Sequence, residues 1–133
     1  MIENIILNFL KADSELNTLT GGRIYPDVAQ VKTLPTVIMY ADSPVPQGQR
    51  WFFTQNLTFE IYAKTEKSAQ DVRDRFYQLL NKYDEINLAA MAQGIIIKEA
   101  HAVYASVSNH FPLETEQARE KVVSFDFQYT KCA

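Results

Sequence analysis

Between Trp51 and Tyr62 apolar and polar residues alternate with a period of two. Trp51, Phe53, Leu57, Phe59 and Ile61 fall on one side together with Gln55, and Phe52, Thr54, Asn56, Thr58 and Glu60 on the other. Successive side chains of a strand point to opposite faces, so this stretch predicts a long half-buried strand. After Ala63 the period lengthens. Ala69, Val72, Phe76, Leu79, Leu80 and Tyr83 recur at steps of three and four, with Gln70, Asp71, Arg73, Asp74, Gln78 and Lys82 between them. That spacing predicts an amphipathic helix whose apolar stripe is buried on the preceding strand.

The same reading extends to both ends. Ile2, Ile5, Ile6, Phe9 and Leu10 have helical spacing, and Leu16 and Leu19 predict a short second helical turn closed by Gly21-Gly22. Arg23 to Pro26 reads as a brief edge strand and Leu34 to Ala41 as the first full strand, with Pro35 at its start. Asp42 to Arg50, with Pro44, Pro46 and Gly48, predicts an exposed loop longer than a hairpin requires. Asp84-Glu85-Ile86 reads as a bend and 88–92 as a short helical piece ending before Gly94. From Ile95 to Val107 a strand is expected, with Ile95, Ile97, Val103, Ala105 and Val107 on one face, interrupted by Glu99 and His101. Ser108 to Glu120 predicts a second, acidic loop around Phe111-Pro112-Leu113. Lys121 to Lys131 predicts a last strand with Val123, Phe125, Phe127 and Tyr129 inward. The expectation is one α+β domain over residues 1–133: a mainly antiparallel sheet of about four or five strands, with two main helices packed on one face.

Composition narrows the function classes. No apolar run approaches the ~20 residues needed to span a bilayer, and the start of the chain has neither the basic lead nor the apolar core of a secretory signal. A net charge of −3 without clustered Lys and Arg argues against generic nucleic-acid binding. The sixteen aromatic residues, mostly at inward strand positions, read as core rather than as base-stacking platforms. One cysteine, Cys132, forms neither an internal disulfide nor a multi-thiolate metal site. No cofactor is implied.

Catalytic sets are thin. Glu99, His101 and His110 offer metal-ligand chemistry on paper, but the first two sit on a strand and the third in a loop. Ser106, His101 and Asp126 supply the residue types of a triad without a nucleophile-elbow sequence. The long loops and the strand's second face carry more meaning, because loops of this length outside a small core commonly serve binding. Pro44, Pro46, Gln49, Phe52, Thr54, Asn56, Thr58, Glu60, Phe111 and Leu113 are therefore the expected subunit or partner interface. Ile38, Tyr40, Tyr62 and Tyr104 are expected to make the second face partly apolar, which favours self-association.

Phe9-Leu10-Lys11-Ala12-Asp13, then Gly21-Gly22-Arg23-Ile24-Tyr25-Pro26 and Leu34-Pro35-Thr36-Val37, resemble the opening half of the small tail-completion proteins of long-tailed bacteriophages and prophages. The half from Gly94 to Thr130 is similar in layout to the lambda-type tail terminator. The resemblance implies a non-enzymatic virion protein made in the bacterial host cytoplasm. It forms a ring, usually hexameric in that family, on the head-proximal end of the tail tube. There it ends tube polymerisation and offers the head-docking face. Its partners are then further copies of itself, the major tail tube protein and a head-completion protein. A head–tail connector component, or a small ligand-binding module or enzyme near His101 and His110, is the alternative.

Overall fold

The computed structural model describes residues 2–26, 33–46, 48, 52–81, 83–108 and 119–131. The chain opens with helix α1 (Ile2–Lys11) and turns at Asp13 into α2 (Ser14–Thr20). The Asp13 carboxylate accepts the Leu16 N–H at 2.8 Å, which satisfies one of the orphan donors at the helix start. Gly21, at φ 65°, ends α2 in the left-handed conformation, and its N–H bonds to the Asn17 carbonyl. The expected short turn is thus a capped helix.

Strands β1 (Ile24–Pro26), β2 (Thr36–Ala41), β3 (Val45–Pro46) and β4 (Phe52–Ala63) follow. Then come α3 (Glu66–Leu80), α4 (Tyr83–Met91), β5 (Ile95–Ser108) and β6 (Arg119–Lys131). The sheet order is β1-β2-β4-β6-β5, with β3 also paired to β4. Every pairing is antiparallel except the parallel β1–β2 contact. The α+β class holds, with a six-stranded sheet and helices beyond the two main ones.

All four helices contribute to one core on one face of this sheet. Thr65 caps α3 by accepting the Ser68 N–H, and Glu66 stands in its first turn, where a carboxylate suits the helix dipole. Its buried stripe is Ala69, Val72, Phe76, Leu79 and Leu80, as the periodicity predicts. Phe76 meets Phe59 with ring centroids 4.8 Å apart, and Tyr77 meets Phe125 at 5.7 Å. Leu57, Phe59 and Ile61 of β4 and Val123, Phe125, Phe127 and Tyr129 of β6 line the same core. Among the described residues Thr20, Thr36, Gln55 and Lys121 are the buried polar side chains. Gln55 donates to the Glu3 carboxylate at 3.1 Å and to the Asp42 carbonyl at 2.7 Å, and accepts from the Tyr129 hydroxyl at 3.0 Å. A buried amide with its groups engaged escapes the desolvation penalty.

Four sequence expectations are corrected. Asp84-Glu85-Ile86 is no bend but the first part of α4, whose acidic start suits a helix N-terminus. The 42–50 segment is not wholly loop, since Val45 and Pro46 pair with Thr54 and Phe53. The second loop is shorter than expected, because β5 runs to Ser108 and β6 begins at Arg119; residues 109–118 lie outside the described residues.

The fourth correction concerns Glu99 and His101, which the alternation put in the middle of the core face. β5 is irregular between Ile97 and Glu99 and again between Ala102 and Tyr104. Ile97 stands opposite the inward Tyr129. After the first shift Glu99 and His101 stand opposite Gln128 and Asp126, and Ala100 and Ala102 take the positions opposite Phe127 and Phe125. A bulge adds one residue and moves the period by one, and the second bulge restores it.

Candidate functional site

The other face of the sheet has no helix over it among the described elements. Its surface is set by strand parity. With odd residues of β4 and β6 committed to the core, Phe52, Thr54, Asn56, Thr58 and Glu60 must point away, and all five are half-buried. The ladder sets Glu60 between Ile38 and Val122, and Thr58 between Tyr40 and Ser124. Asn56 stands opposite Asp126, and Thr54 between Val45 and Gln128.

The centre of this face is a hydrogen-bonded cluster. Asn56 Nδ2 donates to Ser124 Oγ at 2.7 Å and to Asp126 Oδ1 at 2.8 Å, and Thr58 Oγ1 donates to Asn56 Oδ1 at 2.9 Å. Cross-strand polar pairs of this kind hold side chains in one arrangement and present a preformed polar surface. Ser124 and Asp126 belong to it and were not among the expected interface residues. Their signal was available in the polar positions of the last strand.

The face is more polar than expected. Ile38 and Tyr62 are 3% and 8% exposed, and Tyr40 is half-buried. The side chain of Tyr104 lies outside the described residues. Of the expected loop residues, Pro44 and Pro46 are exposed on the segment that carries β3. Gln49, Phe111, Leu113 and His110 lie outside the described residues. Of the exposed large apolar side chains among the described residues, Tyr25 and Val45 stand opposite Ile38 and Thr54 at the margin of this face, and Leu88 and Met91 are on α4. Helical periodicity alone does not predict an outward Leu88 and Met91, because Ile86 and Ala90 already supply the inward side of α4.

The candidate triad and metal sets are placed only in part by the described residues. Asp126 Oδ1 is engaged by Asn56. His101 and Ser106 stand opposite Asp126 and Val122 in the ladder. Those rows are about 13 Å apart at ~3.3 Å per residue. Among the described residues no group of three or more His, Cys, Asp or Glu is placed to hold a metal ion. The large rings Phe59, Phe125 and Phe127 are fully buried in the core, so the sheet aromatics offer no stacking platform there. No described helix is long and apolar enough to cross a membrane.

No family model matches the chain, and no curated protein matches it. Among solved structures, a chain from the virion of a native gene transfer agent (GTA) particle aligns over 94% of this chain and 91% of its own length. The TM-score is 0.59 and the sequence identity 10%. The two chains share a fold. The alignment takes in nearly all of both chains.

Proposed function

We propose that this protein is a structural component of a phage-type virion, and that within it the chain is a tail terminator. It forms a closed ring on the head-proximal end of the tail tube, stops further addition of tube protein and presents a docking surface to the head-completion protein. The observation that carries the reading is that a chain of a phage-like virion uses this fold from one end to the other. One further feature agrees with it: among the described elements one sheet face is free of helices and preorganised, which suits a protein that must touch more than one partner.

Physically, the role needs copies joined head to tail so that rotation closes, and separate surfaces for tube and head. Purified chain mixed with tail tube protein tests this directly. Electron microscopy and light scattering should show a ring at one end of each tube and tubes that no longer lengthen. Tubes that grow unchanged, with the chain monomeric throughout, would refute the reading. A chain that binds the head connector and leaves tube length unchanged belongs to the head side of the junction instead.

A further inference from the structure

The two ends of the sheet are unlike. At one end β1 is three residues long and finishes on Pro26, which has no N–H to offer a further strand. At the other end β5 runs for fourteen residues, and among the described elements no strand pairs with its outer edge. A long unpaired edge carries a row of backbone donors and acceptors, the template on which another strand adds.

The direction of those groups follows from one hydrogen bond. The Ile97 N–H goes to Asn87 Oδ1 of α4 at 2.8 Å, so it points away from β6. On an antiparallel ladder every second residue turns its N–H and C=O away from the partner strand. Ile97 stands opposite Tyr129, and the next alternate positions of β6 are Phe127, Phe125, Val123 and Lys121. Their partners on β5 are Ala100, Ala102, Ala105 and Val107. From Ile97 onward the residues that face away from β6 therefore come at steps of three, two, three and two. An arriving strand presents its own groups at a constant step of two. It meets no more than two successive residues in register before a bulge breaks the match and bends the edge. Ile97, the first of the row, is already taken by Asn87. Lys98 stands exposed at the first bulge, and a charge on an edge opposes pairing as well.

We infer that the two bulges and Asn87 act together as a guard, closing the outer edge of β5 to strand addition by a second copy of this chain. The guard is independent of the ring reading: copies that close a ring do so without extending the sheet at β5.

Removing the guard tests it. Deleting Lys98 and Val103 makes the step two throughout from Ile97 to Val107 while the pairing to β6 is kept, and Asn87→Ala frees the Ile97 N–H. The chain with all three changes should assemble as its concentration rises, read by light scattering and thioflavin T. Its Ala100 amide should exchange at least about tenfold more slowly once assembled. Wild-type chain should bind no thioflavin T, and its Ala100 amide should exchange at one rate over the same range. Should the triple change unfold the chain by circular dichroism, Asn87→Ala with Lys98 alone deleted is read in the same way, since Ile97, Ala100 and Ala102 are then in register. Phe76→Leu loosens the fully buried core and leaves the edge as it is, so it should not assemble in this manner.

A folded variant without the guard that behaves as the wild type overturns the inference. A Phe76→Leu chain that binds thioflavin T to the same extent overturns it too, because lost stability then explains the assembly. A wild-type oligomer with a slowed Ala100 amide shows the edge to be a subunit contact, and overturns it outright.

Discussion

Arg75 of α3 grips Asp13, the cap of α2, through two hydrogen bonds, Nε to Oδ2 at 2.9 Å and Nη2 to Oδ1 at 2.7 Å. One carboxylate therefore starts a helix and ties it to another. The pairing pushes the Arg75 guanidinium further up from its ordinary value, chiefly through the Asp13 hydrogen bonds and against the opposing effect of burial. Asp13→Ala loses the cap, worth about 1 kcal/mol, and charged hydrogen bonds worth about 1.5–3 kcal/mol. Both side chains are mostly shielded, at 17% and 15% exposed, so a total loss of about 3 kcal/mol is expected. Asp13→Asn keeps an acceptor for the Leu16 N–H and should lose about half as much. Urea midpoints at unchanged m-value measure both.

Gln55 gives a second stability prediction. Gln55→Leu fits a buried position by size but leaves the Tyr129 hydroxyl without the acceptor it uses and removes two donors from Glu3 and Asp42. The expected cost is about 1–3 kcal/mol. A variant as stable as the wild type would show that water replaces the amide.

The same network sets a pH dependence with two ends. Burial, and then the charge of Glu3, raise the Tyr129 phenol above its ordinary value. The unfolded phenol ionises near about 10. Its contribution is therefore complete below that pH and is lost as pH rises through the higher folded value. Glu3 behaves in the opposite sense. Burial is the largest influence and acts upward, yet the amino terminus, its own backbone amide and Gln55 together hold the carboxyl below its ordinary value. Its contribution is complete above the unfolded carboxyl range, about 4.3, and is lost as pH falls through the folded value. Tyr129→Phe should flatten the alkaline fall in stability and leave the acid limb unchanged, as thermal unfolding across pH would record.

On the open sheet face, Thr58→Arg places a long cation beside Asn56 and Ser124 without touching the core. Circular dichroism should be unchanged and stability should fall by no more than about 1 kcal/mol, while, on the tail-terminator reading proposed above, attachment to tail tube ends is lost. Normal capping by this variant would move the tube contact off the face.

How much of this was legible in the sequence depends on how far each signal is local. The alternation in β4 and the stripe of α3 were readable because one side of each element is buried along its whole length. β5 was misread in its middle. A bulge shifts the period by one without any distinctive residue, and only the partner strand reveals it. Deleting Lys98 tests this: the ladder becomes regular, with Glu99 and His101 still opposite Gln128 and Asp126, so urea unfolding should show a loss of no more than about 1 kcal/mol. The start of α4 was hidden because Asp84 and Glu85 suit a turn and a helix N-terminus equally. The open face was predicted from parity alone, and its polar residues stand there. Its apolar part was misplaced: Ile38 and Tyr62 are buried, and Val45, opposite Thr54, is exposed. The exposed Leu88 and Met91 were missed because 88–92 was read only as a helical piece, with no inward side assigned.

The strand order has a consequence for how the chain is made. β6 is the latest of the described strands to be synthesised, yet it lies between β4 and β5 and pairs with each over most of its length. Until residues 119–131 have left the ribosome, neither earlier strand has its main partner, and the apolar sides of both wait uncovered. A nascent chain halted before Arg119 should therefore engage chaperones and resist proteolysis poorly. Release of the last strand then closes the sheet and its core in a single step.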